Sequence, residues 1–218
     1  MRSRFDEELD KLNIDIVKMG NMVETALENT IDAFKNQDKK LAKDIMDNDR
    51  LVNDMERTIE SRCFNLMLRQ QPIARDLRTI TTALKVVTDL ERIGDQSADI
   101  SEVMLNIEGK HIYRTVEHIP NMLKTAKAMV HESIQAFVER DLNRANATAD
   151  MDEEIDRLFA EVKEEIIAII KENSESVDDC LDYLMIAKYL ERIGDHASNI
   201  CEWLDFMLTG SVNNHQII

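Results

Sequence analysis

The chain has 218 residues, enough for one large domain or two of about 100 residues each. Its 43 acidic against 27 basic residues leave a formal charge of −16, which repels phosphate backbones and anionic lipid and argues against nucleic-acid binding and direct membrane docking. Only 5 Gly and 2 Pro interrupt a sequence that is 44% hydrophobic but 5% aromatic, so long helices around an aliphatic core are the expectation, not sheets or disorder. In chain order, the first helix is predicted from about Ser3 to Asn36, with Leu9, Leu12, Ile16, Met19 and Val23 at three- and four-residue spacing. Asp38 is an N-cap for a second helix that runs to about Arg69 through Leu41, Ile45, Val52, Ile59 and Leu66. Pro72 opens a third that ends near Gly109. After a linker over 109–118, Pro120 starts the fourth helix and Asp141 caps the fifth. A turn at Asn173-Ser174-Glu175 follows, and the sixth ends at Gly210. The longest clean apolar run, Ile166–Ile170, is far short of the roughly 20 residues of a membrane span. The opening Met1-Arg2-Ser3-Arg4-Phe5-Asp6 lacks the apolar stretch of a signal peptide. Cys63, Cys180 and Cys201 form no CxxC pair and fit a reducing cytoplasm as packed side chains.

The six helices are two copies of three. Leu90-Glu91-Arg92-Ile93-Gly94-Asp95 recurs letter for letter as Leu190-Glu191-Arg192-Ile193-Gly194-Asp195, an offset of 100. Leu77, Ile80, Leu84 and Val87 correspond at the same offset to Val177, Cys180, Leu184 and Ala187. Earlier in each half the offset is 103, which places Ile31, Ala33, Phe34, Asp38 and Ala42 on Ile134, Ala136, Phe137, Asp141 and Ala145. The three-residue difference belongs in a loop near Gln70-Gln71-Pro72. The expected fold is therefore all-α: a tandem, pseudo-symmetric pair of three-helix bundles, residues 1–108 and 119–218. Helices this long cannot stand alone in water and must bury a face.

On a helical projection, Ile80, Leu84 and Val87 form an inward stripe that Glu91 continues, followed by Asp95 and Asp99 at four-residue steps. Cys180, Leu184 and Ala187 lead in the same way into Glu191, Asp195 and Asn199. Like charges so spaced repel. Arg92 and Arg192 project about 100° away and are not expected to neutralise them. Gly94 and Gly194 weaken each helix by about 1 kcal/mol relative to Ala, which suggests close backbone approach or space beside the acids. Folding the second helix back on the third about Gln71-Pro72 makes facing position numbers total about 143, by hairpin geometry. Asp49 and Asn53 then face Glu91 and Asp95, while in the second half Asp152 and Asp156 face Glu191 and Asp195. Carboxylates gathered at one depth need a shared proton or a cation, and inward acids on facing helices are how bundles hold metals. An all-oxygen set favours Mg, Ca, Mn or iron. The one Glu-x-x-His spacing, Glu108–His111, straddles a helix end, so di-iron oxidase chemistry is poorly supported. His196 and its counterpart Gln96 read as surface residues, and Trp203 and the methionines as packing. No P-loop, dinucleotide fingerprint, nucleophile elbow or zincin motif occurs. An enzyme is the less favoured reading; the enzymatic alternative is a metal-dependent hydrolase using carboxylate-bound metal.

The doubled Glu-Arg-Ile-Gly-Asp motif, its helical setting, the three-plus-three organisation and the segment Arg69-Gln70-Gln71-Pro72-Ile73-Ala74-Arg75-Asp76-Leu77-Arg78 resemble the PhoU family over essentially the whole chain. That resemblance implies multinuclear iron or zinc clusters at the acidic motifs, with Asn199 standing where an acid would complete the second. It also implies a cytoplasmic negative regulator of phosphate uptake and of the phosphate-starvation response. The implied partners are the ATPase of a phosphate ABC transporter and a membrane sensor histidine kinase, with the membrane reached only through them. The methionine-rich faces and the Leu204-Phe206-Met207-Leu208 tail permit a homodimer.

Overall fold

The computed structural model describes residues 2–70, 72–107, 116–173, 177–212 and 215–216. Seven helices run in order: α1 (Arg2–Asn36), α2 (Lys39–Gln70), α3 (Ala74–Asn106), α4 (Ile119–Glu139), α5 (Leu142–Ala149), α6 (Asp152–Glu172) and α7 (Val177–Thr209). A two-stranded antiparallel ribbon, β1 (Ser211–Val212) and β2 (His215–Gln216), follows and is the sole departure from all-α among the described residues. In the first half α1, α2 and α3 pack on one another; in the second α4, α5 with α6, and α7 do the same.

The second helix of each half starts where the sequence puts it, whereas Pro72, expected to open the third helix, lies before α3, whose N-cap is Ile73. Asp38 Oδ1 accepts the backbone N–H groups of Lys40 and Leu41, both at 3.0 Å, and Asp141 Oδ1 accepts those of Asn143 and Arg144 at 2.9 and 3.1 Å. Just before each cap the chain turns through the left-handed region at a non-glycine residue, Gln37 (φ 52°) and Arg140 (φ 56°). These positions are 103 apart, so the duplication extends to backbone conformation. Pro120 sits in the first turn of α4, and Gly210 (φ 81°) ends α7. Gly109, Ser174 and Glu175, assigned to turns above, lie outside the described residues.

The expected fifth helix is two. At Asp150 and Met151 the chain tightens: Met151 N–H donates to the Thr148 carbonyl at 3.0 Å and Glu154 N–H to that of Met151 at 3.1 Å. The restart places Asp152, Glu153 and Glu154 in the first turn of α6, where the helix dipole favours acids. The equivalent stretch of α2 runs unbroken.

The halves do not stand side by side as separate bundles. They share a continuous core, and α3 and α7 pack extensively on each other, crossing antiparallel. Each is therefore buried on two sides, against its own bundle and against its counterpart. Asp89 on α3 takes both His196 Nδ1 (2.9 Å) and Asn199 Nδ2 (3.2 Å) from α7, and Lys85 lies 5.4 Å from the Trp203 ring centroid. His196 and Gln96 are thus not surface residues: His196 is partly buried in this contact, and Gln96 is 3% exposed with its Oε1 unpartnered. A second seam joins α1 to α4, where Gly20 admits Ile134 and Lys127 and His131 pair with Glu28 and Glu24 at 2.8 Å. The α7 tail offered above as a dimer face belongs to this monomer's interior, with Leu204, Phe206 and Met207 buried. All three cysteines are buried, and burial pushes the Cys63 and Cys201 thiols up to about 12.

Candidate functional site

Two acidic patches lie where α3 meets α2 and where α7 meets α6. Each is organised around a motif glycine. A Cβ on Gly94 would sit 3.2 Å from Val52 Cγ1 and 3.7 Å from Asp49 Oδ1; one on Gly194 would sit 3.0 Å from Ile155 Cγ2. Val52 and Ile155 are 103 apart. The glycines let α2 and α6 approach closely enough to bring their acids beside those of the motif helices, which is the role their retention in both copies suggested.

In the first patch α3 presents Glu91, Asp95 and Asp99, and α2 presents Asp49, Asn53 and Glu56. Asn53 Nδ2 donates to Asp49 Oδ2 at 2.9 Å, while Asp49 Oδ1 and Asn53 Oδ1 are buried without a partner. Burial, then Asp95, with Arg92 opposing and Glu56 and Asp49 adding, raises the Glu91 carboxyl to about 7. Asp49 is raised by burial and then by Asp95 and Asp99, with the Asn53 bond working the other way. Asp99 is raised by burial, Asp95 and Glu102, with Arg192 across the α3–α7 contact opposing. Every shift reports negative charge that the protein does not fully compensate. Arg92 does more than its projection indicated: its long side chain folds back, placing Nη1 3.3 Å from Asp95 and Nε 3.5 Å from Glu91.

In the second patch Glu191 and Asp195 on α7 face Asp152 and Asp156 on α6. Asp195 is raised by burial, then by Glu191 and Asp152, with Lys188 opposing and Asp156 adding. Lys188 Nζ lies 2.5 Å from Glu191 Oε2, and Ser198 Oγ donates to Asp152 Oδ1 at 3.2 Å. Asn199 Nδ2 donates to Asp89 Oδ1 across the α3–α7 contact at 3.2 Å.

Hairpin arithmetic thus brings together Asp49, Glu91, Asp95 and Asp99 in one place and Asp152, Asp156, Glu191 and Asp195 in the other. It missed Glu56, seven residues beyond Asp49 on the same face, whose carboxyl is raised by burial and by Glu60 while a bond from Thr88 opposes. The donor chemistry suits a hard cation: oxygens only, two of them buried without partners, and carboxyls held above their usual range by burial and then by mutual repulsion. The positions are open rather than caged, since among the described residues no three His, Cys, Asp or Glu side chains converge on one point. Beside the first patch a groove of about 540 Å³ runs between α1 and α2, with Asp49 and Gly94 at its edge.

A PhoU domain matches this chain twice, over residues 16–104 and 119–204. The phosphate-specific transport system accessory protein PhoU homolog of Clostridium acetobutylicum is 36% identical over 210 residues, covering 96% of each chain. PhoU homolog 1 of Thermotoga maritima is 32% identical, covering 94% of this chain and 89% of its own. Among solved structures, the phosphate transport system regulatory protein PhoU from Streptococcus pneumoniae superposes with a TM-score of 0.90 at 30% identity, over 96% of this chain and 99% of that one. PhoU from Pseudomonas aeruginosa gives 0.89 at 31%, over 95% and 100%.

Proposed function

The chain belongs to the PhoU family, and we propose that it is the regulatory accessory protein of a phosphate transport system, acting by binding rather than by catalysis. The observation that carries this reading is the end-to-end similarity, in sequence and in fold, to proteins named for that role. In it the chain restrains phosphate uptake and phosphate-starvation signalling from the cytoplasm, by contacting the ATPase of a phosphate ABC transporter, a sensor histidine kinase, or both. Among the described residues no helix is long and apolar enough to cross a membrane, which accords with reaching the membrane through protein partners. Retention of the ATPase or the kinase on the immobilised chain, with and without added metal, tests it. Retention of neither under both conditions would overturn it.

The acidic patches are proposed as cation sites. Glu91, Asp95, Asp99 and Asp49 would hold an ion in the first half, and Glu191, Asp195, Asp152 and Asp156 in the second. Iron is the choice that family resemblance and all-oxygen donors share; zinc, Mg, Mn and Ca are the other candidates. When bound, an ion would supply the positive charge that the unpartnered Asp49 Oδ1 lacks and would draw the raised carboxyls back to their ionised form. Because the acids are spread along the patch, binding would require side-chain rotation, with Arg92 and Lys188 released from Glu91, Asp95 and Glu191. Metal analysis of protein prepared without chelator should find ions that a Glu91→Ala/Asp95→Ala/Glu191→Ala/Asp195→Ala variant lacks. Equal metal content in the two would contradict the assignment.

A further inference from the structure

The two halves treat one equivalent space in opposite ways. In the first half it is the groove of about 540 Å³ between α1 and α2, lined by Ala26, Leu41 and Ile45 and reaching Gly94. In the second half, at the offset of 103, Met129 stands in place of Ala26. Its Cε lies 3.5 Å from where a Cβ on Gly194 would sit. Arg144 stands in place of Leu41 and Glu132 in place of Asn29, and the two pair at 3.1 Å, strapping α5 to α4 across the equivalent gap. Space that the second half fills and ties shut thus stays open in the first. The rim shows the same contrast. Leu51 is 48% exposed, whereas its counterpart Glu154 is a surface charge paired with Arg157. One turn beyond Lys18, at the end of the groove, Ile14 is 64% exposed.

The polar groups of the groove are unspent. Among the described residues the side-chain amides of Asn21, Asn29 and Asn48 make no hydrogen bond, and neither Lys18 nor Asp44 makes an ion pair. Asp44 stands on the α2 wall, and Asp49 Oδ1, buried without a partner, lies at the edge. Two acids against one base leave the groove negative, in a chain whose formal charge is −16. From Lys18 to Asn29 it follows α1 for about 16 Å, or three helical turns. A small molecule is held by polar groups that converge on one point. Here they are strung along both walls of an apolar trough with exposed apolar side chains at its rim, which is the form that receives one face of a helix.

We propose that the α1–α2 groove is a docking site for an amphipathic helix of a partner protein, one that carries Lys or Arg beside its apolar stripe. The apolar residues of that helix cover Ala26, Leu41, Ile45 and Leu51, and its basic residues meet Asp44 and Asp49. Met129 and the Arg144–Glu132 pair close the equivalent space of the second half to such a helix, so the duplication leaves one groove of this kind where its repeat would supply two. The inference rests on the regulatory reading only in taking the partner to be a protein, and it adds the surface and the chemistry of the contact.

The test is binding of a synthetic peptide of about 14 residues, enough to span the groove as a helix, with leucines three and four apart, flanking arginines and one photoreactive leucine. Fluorescence anisotropy with chelator present reads its affinity for the full chain, and cross-linking maps where it lies. The wild type should bind one peptide per chain, with cross-links confined to residues 14–29 and 41–51. Ala26→Met/Leu51→Glu, which installs the residues of the second half, should bind about ten-fold more weakly or worse. Asp44→Arg should also lose affinity, and should gain it for the same peptide with glutamates in place of the arginines. Ile167→Glu, at a comparably exposed apolar position on α6, should change nothing. Circular dichroism checks that each variant folds, and the gain by Asp44→Arg cannot come from misfolded protein. Absence of saturable binding would overturn the proposal and leave a small molecule or a second copy of the chain as occupant. Cross-links outside the groove, affinity indifferent to Ala26→Met/Leu51→Glu, or an Asp44→Arg variant with unchanged charge preference would each overturn it as well. The assay uses no ATPase, kinase or metal, so its failure leaves the regulatory reading intact.

Discussion

Glu91 shows how a single side chain reports the state of a whole patch. Its carboxyl is raised to about 7 in the folded protein, chiefly by burial and Asp95, whereas an unfolded glutamate titrates near 4.3. The protonated form is therefore the one the metal-free fold tolerates. Stability from this group is full below the unfolded pKa and is lost as pH rises toward 7. Metal-free protein should accordingly melt lower at pH 8 than at pH 5.5, and Glu91→Gln should flatten that dependence, gaining on the order of 1 kcal/mol at pH 8 after allowance for solvent screening. Thermal melts at the two pH values decide it; a wild-type profile that is flat, or unchanged in the variant, would refute the account of the patch. The motif glycines give a second contrast. A methyl at Gly194 meets Ile155 atoms at 3.0 and 3.2 Å, tighter than the single 3.2 Å contact at Gly94. Gly194→Ala should cost about 1 kcal/mol, while at Gly94 the gain in helix propensity offsets most of the clash, and urea melts of the two variants would show the difference.

At the scale of helices, the sequence carried most of what local chemistry decides. Asp38 and Asp141 are capping residues because a short carboxylate reaches the free N–H groups of the first turn, and that is legible from type and position alone. The facing of Asp49 on Glu91 followed from helix pitch and one turn. What remained hidden depended on partners distant in sequence. His196 and Gln96 look polar and peripheral on one helix, and only the α3–α7 packing gives those helices a second buried side. The break at Asp150-Met151 carries no proline or glycine, so nothing local announces it. Two consequences are measurable. Asp89→Ala should leave His196 and Asn199 without their shared acceptor inside the inter-half contact and cost about 1–3 kcal/mol in denaturant melts. Gln37→Gly removes a strained left-handed non-glycine residue and should stabilise by about 0.5–1 kcal/mol, net of the entropy glycine adds to the unfolded chain.

For the molecule as a whole, the duplication supplies two similar halves whose differences are informative. Equivalent glycines, caps and core positions are kept, while Arg92 in one patch and Lys188 in the other hold the motif acids by different means. Long helices sharing one core give a stiff body with acidic patches on its surface, an arrangement suited to presenting binding faces. Family membership rests on similarity over nearly the full length. The most direct test of the regulatory role is phosphate uptake by phosphate-replete cells lacking the chain, complemented with the wild type or with the Glu91→Ala/Asp95→Ala/Glu191→Ala/Asp195→Ala variant. Uptake should stay high without the protein, fall when the wild type is restored and remain high with the variant. Uptake that is the same with and without the wild-type chain would contradict the proposed function.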